Sequence, residues 1–292
     1  MDTIKRIERA LSAALSGTEA SDAPPRLARA MSYAVFPGGA RVRPRLCLAV
    51  AEACGARDTA LADAAAAAIE LLHCASLVHD DLPCFDDAEL RRGRASVHRA
   101  FGEPLAVLAG DALIVLGFQT LAQAAAKDPT NLPLLCRIIA EAVGAPRGIC
   151  AGQAWECEPR IDLAAYHRAK TGALFAAAAQ AGAAVAGVSA AHLGGWRLLG
   201  ERLGQAFQIA DDISDAVAEP AQTGKSTGRD AALGRPSAVT TYGVAGALRQ
   251  LEEVARLAVA EIPECEGAPE LRALILLESR RLLPEALSVD AA

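Results

Sequence analysis

Two groups of aspartates are spaced for chemistry. Asp80 and Asp81 close the apolar run that begins at Leu71, Asp86 and Asp87 follow beyond Pro83, and Arg91 and Arg92 come next. The second group, Asp211, Asp212 and Asp215, follows Phe207-Gln208-Ile209-Ala210 much further along the chain. Carboxylates this close repel one another unless a cation holds them. Aspartate oxygens with no imidazole or thiolate at ligand spacing suit a hard divalent ion such as Mg²⁺ or Ca²⁺. Two acid groups, one with arginines beside it, point to metal ions gripping a phosphate.

Other residues fit the same chemistry. Arg41, Arg43 and Arg45 alternate behind Gly38-Gly39 at the mouth of an apolar helical segment, where helix N–H groups and guanidinium forks bind phosphate; a solvated basic turn would have the same composition. His73 lies seven residues before Asp80 and so on nearly the same helix face, as a site residue or a satisfied core histidine. Lys170, in Lys170-Thr171-Gly172, is one of only four lysines against 25 arginines. Gln208 stands one turn before Asp211 and Asp212. Residues 219–236, with Gly224-Lys225, are long and polar enough for a mobile lid.

The elements that position these residues read as helices. The chain of 292 residues is 52% hydrophobic and rich in alanine and leucine, which are strong helix formers, and no stretch alternates with period two. Helices are predicted over residues 3–15, 59–80, 130–151, 162–188 and 191–219, with further segments before residue 54, after Pro104 and at the C-terminal end. The 59–80 segment is apolar on more than one face and should run through the middle. No linker divides the chain, so residues 1–292 are expected to form one domain.

Composition excludes some functions. A net charge of −6 argues against nucleic acid as partner. Eight cysteines with no C-x-x-C or zinc spacing read as free thiols in a reducing cytoplasm. The N-terminal residues lack the apolar core of a secretion signal, and no lipidation signal ends the chain. The uncharged run Thr171–Ala191 is mostly alanine and glycine, and reads as a buried helix rather than a transmembrane segment.

Five motifs in order and spacing carry a family resemblance. Asp80-Asp81-x₄-Asp86, Arg91-Arg92-Gly93, Lys170-Thr171-Gly172 and Phe207-Gln208-x₂-Asp211-Asp212-x₂-Asp215, with Phe36-Pro37-Gly38-Gly39-Ala40-Arg41 ahead of them, resemble the trans-isoprenyl diphosphate synthases. The pattern is most similar to the geranylgeranyl diphosphate synthases of bacterial carotenoid pathways. The resemblance implies an all-α, single-domain bundle of ten or more helices around a deep apolar cavity, working as a homodimer. It implies about three Mg²⁺ ions on Asp80, Asp81, Asp86, Asp211, Asp212 and Asp215. Arg91, Lys170, Thr171, Gln208 and Lys225 would hold an allylic diphosphate, and Arg43, His73 and Arg92 the diphosphate of isopentenyl diphosphate. The family's usual Gly-Gly-Lys-Arg reads Gly38-Gly39-Ala40-Arg41 here, leaving Arg41 or Arg45 to supply the missing charge; Arg235 stands where another lysine is common.

Product length is expected to follow from Ala75, five residues before Asp80, where farnesyl-producing relatives tend to carry an aromatic. A small residue would let the chain grow past C15 to C20, until Phe118 or Leu72 stops it. A C15 synthase, a terpene cyclase and a non-catalytic partner subunit are the alternatives. Eleven aromatics in the whole chain are few for a cyclase, and two intact acid groups speak against the subunit.

Overall fold

The computed structural model describes residues 2–20, 22–36, 38–217 and 237–281. Lys225 and Arg235 lie outside them. Helix α1 (Thr3–Ser16) is amphipathic: Asp2 caps it, accepting from the Ile4 N–H at 3.0 Å, and Ile7, Leu11 and Leu15 form its buried stripe. Then come α2 (Pro25–Val35) and α3 (Val42–Ala53). Helix α4 (Thr59–Asp80), capped by Asp58 on the Leu61 N–H, is buried along most of its length. It packs against α1, α2, α3, α6 (Glu103–Ala124), α7 (Leu132–Val143) and α10 (Ala173–Val185). The segment read as central from its all-round apolarity is therefore the axis of the bundle.

Helix α10 is the second buried axis, with Leu174 to Ala179 and Ala181 to Val185 all buried. The middle of the uncharged run, Ala173–Val185, is thus a core helix. Its other flank is α11 (Gly194–Val217), against which α12 (Ala238–Ala260) packs, followed by α13 (Ala268–Arg281). Among the described residues two helices, α4 and α6, are long and apolar enough to cross a membrane; α4 is enclosed by the bundle, whereas α6 leaves Val107, Leu108 and Val115 exposed.

Two departures from the sequence expectation shape the site. First, the region predicted as helices over 130–151 and 162–188 is broken into pieces. Helix α7 stops at Gly144; then come α8 (Ile149–Ala154), a 3₁₀ turn (Trp155–Cys157), α9 (Leu163–His167), a π-helical turn (Arg168–Gly172) and α10. Gly144, Pro146 and Gly148 punctuate the first break, and Pro159 the second. Second, the single ribbon among the described residues pairs Leu90–Arg91 with Arg94–Ala95, antiparallel. Arg92 and Gly93 turn it, both with positive φ (53° and 76°), as tight hairpins require. A short helix, α5 (Val97–Phe101), leads from the ribbon into α6.

Candidate active site

Asp80 is the last residue of α4, where unpaired carbonyls favour a cation. The loop beyond folds straight back: the Asp86 N–H donates to the Asp80 carbonyl at 3.0 Å, and the Ala88 N–H to the Asp81 carbonyl at 3.1 Å. This returns Asp86 to the side of Asp80. A third carboxylate, Glu156, comes from the 3₁₀ turn, and the three offer oxygens within 4.8 Å of one another. Sequence reasoning missed Glu156 because it lies in the stretch between two expected helices; the 3₁₀ turn after α8 brings it in.

Lys170 Nζ lies between these acids, 2.5 Å from Glu156 Oε1 and 3.3 Å from Asp80 Oδ1. Glu156 also accepts from the Tyr166 hydroxyl at 2.6 Å and from Gln153 Nε2 at 3.2 Å. Burial works to lower the pKa of Lys170, but Asp80, Tyr166 and Glu156 outweigh it and the net shift is upward, so the ammonium stays charged. The π-helical turn presents Lys170 and Thr171, a geometry frequent at functional sites. That turn is pressed between two glycines. A Cβ on Gly152 would meet the Lys170 backbone N at 2.4 Å, and one on Gly204 would meet Gly172 Cα at 2.8 Å.

The second acid group faces the first across the mouth of one cavity, whose lining includes Asp80, Asp86, Asp211, Asp212 and Asp215. A chain of hydrogen bonds fixes its register. Thr171 Oγ1 donates to Gln208 Oε1 at 2.9 Å, Gln208 Nε2 to Asp212 Oδ1 at 3.0 Å, and the Ala238 N–H to Asp212 Oδ2 at 2.7 Å. Asp212 therefore ties α11 to the start of α12, with Asp211 and Asp215 beside it on the cavity wall.

Asp81 departs from its expected place among the ligands. It is 2% exposed, does not line the cavity, and accepts a fork from Arg91 (Nε 2.9 Å, Nη2 2.5 Å). Burial raises its pKa, against the pull of Arg91. Its neighbour Asp80 continues the face of α4 that looks into the cavity, whereas Asp81, the C-cap, turns inward to hold Arg91 at the rim.

Arg43, His73 and Arg92 form a second group of residues on the same lining. Arg43 is buried, stacked over Phe175 at 4.6 Å with Phe207 at 5.6 Å, and its Nη1 lies 3.3 Å from His73 Nε2. Burial, Arg43 and Arg92 hold the pKa of His73 well below the usual histidine range, so the ring is neutral and Nε2 accepts from Arg43. Burial likewise lowers Arg43 to about 10, despite Glu70. Arg43 Nε and Arg92 Nη1 are buried with no hydrogen-bond partner among the described residues. Orphaned cationic donors at a cavity wall are costly alone and suit an anionic ligand.

The depressed His73 pKa has a stability consequence. An unfolded histidine takes up a proton below about pH 6.5, which the folded ring resists, so the unfolded state gains as pH falls through that value. Replacing His73 with glutamine should flatten the fall in melting temperature between about pH 6.5 and 5, measured by thermal denaturation across that range.

Arg41 does not reach this patch, contrary to expectation. Its guanidinium points into the core, donating to Glu70 at 2.6 Å, Glu8 at 2.8 Å and the Val35 carbonyl at 2.9 Å. Arg45 pairs with Glu278 on α13. Arg41, the N-cap of α3, takes left-handed backbone geometry and turns inward, and of the three arginines only Arg43 lines the cavity.

Below the charged mouth the cavity, about 1090 Å³ in all, is apolar. Leu72, Ser76 and Leu77 of α4, Ile114 of α6, Val143 of α7, Ile149 of α8 and Leu174 of α10 line it. Neither Ala75 nor Phe118 does. Ala75 is 1% exposed and packed in the core; five residues before Asp80 it is turned about 140° from that residue's face, whereas Ser76 is within about 40°. Phe118 lies one turn beyond Ile114 on α6, past the end of the cavity wall.

Residues 24–268 match the polyprenyl synthetase family. The chain belongs to that family. Its activity is that of a prenyl-group transferase. Among its relatives, the geranylgeranyl diphosphate synthase of Cereibacter sphaeroides is 53% identical over 280 residues, 96% of each chain. That of Rhodobacter capsulatus is 51% identical over 97% of each. A geranyltransferase structure from Helicobacter pylori, complexed with magnesium and isoprenyl diphosphate, superposes with a TM-score of 0.81 at 29% identity, covering 94% of this chain and 95% of that one.

For a polyprenyl synthetase, the donor set suits Mg²⁺. The Asp80, Asp86 and Glu156 oxygens converge without imidazole or thiolate, as a hard cation requires.

Proposed function

We propose that this chain condenses isopentenyl diphosphate with allylic diphosphates, in a Mg²⁺-dependent reaction, to give geranylgeranyl diphosphate. One observation carries the reading. A carboxylate-and-lysine subsite and an arginine-histidine subsite stand side by side at the mouth of a single apolar cavity of about 1090 Å³. The relatives named geranylgeranyl diphosphate synthases support the C20 product.

Asp80 and Asp86 on one wall, with Glu156 beside them, and Asp211, Asp215 and Asp212 on the other would hold about three Mg²⁺ ions, with Asp81 acting through Arg91. When bound, the ions neutralise the allylic diphosphate and turn it into a leaving group. Lys170, Thr171, Gln208 and Arg91 hold that diphosphate; Lys225 shares the role by resemblance alone. As the allylic C1–O bond breaks, Lys170 stabilises charge on the departing oxygens. Arg43, Arg92 and neutral His73 hold isopentenyl diphosphate so that its double bond faces the C1 cation. The π electrons form the new C–C bond, and the proton then lost from the adjacent carbon goes to the released diphosphate. No side-chain nucleophile takes part; catalysis is electrostatic stabilisation, positioning and exclusion of water by the apolar walls.

We read residues 1–292 as one unit working as a homodimer in the cytoplasm. The exposed Val107, Leu108 and Val115 of α6 give a second copy an apolar face to cover, and none of the eight cysteines forms a disulfide.

The test is direct. Purified protein is incubated with isopentenyl diphosphate and, in turn, dimethylallyl, geranyl or farnesyl diphosphate, with and without Mg²⁺, and product length is measured. C20 product from every starter, abolished by chelation, is expected. C15 alone would make the chain a farnesyl diphosphate synthase, and no product a non-catalytic partner.

A further inference from the structure

Beneath the arginine-histidine subsite lies a carboxylate that the reaction does not touch. Glu70 stands one turn before His73 on α4, is 2% exposed and does not line the cavity. Its Oε1 accepts from Arg41 Nη1 at 2.6 Å, lies 3.8 Å from Arg92 Nη2, and has Cys74 Sγ at 4.0 Å. Arg41 is bound inward on its other nitrogens by Glu8 and the Val35 carbonyl.

The backbone shows what this network holds. Arg41 takes positive φ (51°), a conformation that residues with side chains adopt sparsely and that persists where contacts over-determine it, while Arg92 (53°) takes it as part of the hairpin turn. Gly39 lies on Arg92: a Cβ there would come within 3.2 Å of Arg92 Nε. The loop at 38–41 thus crosses one face of the Arg92 guanidinium while Glu70 approaches its Nη2. Arg41, clamped by Glu70, closes the same loop.

Charge explains why an acid is needed. Arg41, Arg43 and Arg92 crowd one neighbourhood beside a neutral His73, and only Glu8 and Glu70 oppose them among the partners these groups show. Glu8 reaches Arg41 alone. Without Glu70, Arg92 and Arg43 would repel with no anion between them, and the side chain free to move is Arg92.

We propose that Glu70 is a positioning residue for isopentenyl diphosphate: it sets Arg92, and through Arg41 the 38–41 loop, so that the cationic donors face the cavity. The inference rests on the reading above that Arg43, His73 and Arg92 receive that substrate. A purely architectural ion pair, stapling α1 to α4, is the competing account, and the two differ in which kinetic constant moves.

Steady-state kinetics on Glu70→Gln, Glu70→Asp and Glu8→Gln, varying each substrate in turn, separate them. Glu70→Gln should raise KM for isopentenyl diphosphate about tenfold, with KM for the allylic diphosphate and kcat within about threefold. Glu70→Asp keeps the charge on a shorter arm and should show the same selective rise, smaller, at about threefold. Glu8→Gln removes the other anion from Arg41 without touching Arg92 and should change neither KM. Parallel losses in both KM values and kcat, or no rise for isopentenyl diphosphate, would overturn the proposal. If Glu70→Gln does not fold, the Glu70→Asp comparison decides. A second arm does not need turnover: inorganic diphosphate binding without divalent metal, by calorimetry, should weaken about tenfold in Glu70→Gln, and unchanged binding overturns the proposal. Wild-type protein that makes no prenyl product would instead defeat the functional reading, leaving the binding arm to judge Glu70.

Discussion

Replacing Asp80 with asparagine should lower kcat by roughly three orders of magnitude, because the change removes one charge from the point where three functions meet. The residue offers an oxygen to the cluster with Asp86 and Glu156, a counter-charge to Lys170 Nζ at 3.3 Å, and lies 3.9 Å from Arg91 Nη2. Asparagine keeps the shape and one acceptor, so folding should survive. What it loses is the negative charge that a hard cation needs. Lys170 would remain paired with Glu156 at 2.5 Å, drawn toward the side wall rather than toward the departing diphosphate. The arginine-histidine subsite shares no contact with Asp80, so metal-free binding of inorganic diphosphate there should stay within about twofold of wild type. Steady-state turnover with a melting curve on the same sample checks both halves. A loss below about tenfold would remove Asp80 from the centre of the mechanism.

The acid groups were legible because each is dense and adjoins a strong helix pattern, so no tertiary information was needed to see an unfavourable charge cluster. The same holds for α4 and α10, whose all-round apolarity can be satisfied only inside the bundle. Three features were hidden for identifiable reasons. Glu156 lies between two expected helices and becomes a site residue only because the 3₁₀ turn after α8 brings it beside Asp80 and Asp86. Arg41 and Arg43 have the same chemistry in sequence, and the left-handed N-cap at Arg41 sends one to Glu70 while the first turn of α3 sends the other to the cavity. Asp81 has the same composition as Asp80, but sits past the helix end and turns to Arg91. In each case type and spacing proposed the chemistry, and local backbone direction, whether the helical rotation of about 100° per residue or a break from it, assigned the partner.

That rotation also moves the prediction about product length from Ala75 to Ser76, where a bulky residue should shift the main product from C20 to C15 or shorter. Ser76 stands one turn below Asp80, on the wall down which a prenyl tail must pass, with Leu72 a further turn below it and Ile114 across the cavity. Among the described residues its hydroxyl bonds only back to the His73 carbonyl, at 2.8 Å, so exchanging it for phenylalanine forfeits a local helix contact and no part of either charged subsite. The aromatic ring would project into space that the tail occupies during the last addition. A tail that has reached the ring can neither bend aside between Leu72 and Ile114 nor displace packed α4, since close-packed interiors yield little. Elongation therefore stops one addition earlier, while the first condensation, at the mouth, continues. Ala75→Phe makes the sharp comparison. It places the same ring about 140° away, into the buried core behind α4, and should cost stability through overpacking, about 1–3 kcal/mol, with product length unchanged. Chain-length analysis of both variants, beside thermal denaturation, separates the two positions. A shortened product from Ala75→Phe with none from Ser76→Phe would return length control to the residue facing away from the cavity, and would mean that the tail takes a path other than the one lined by Leu72, Ser76 and Ile114.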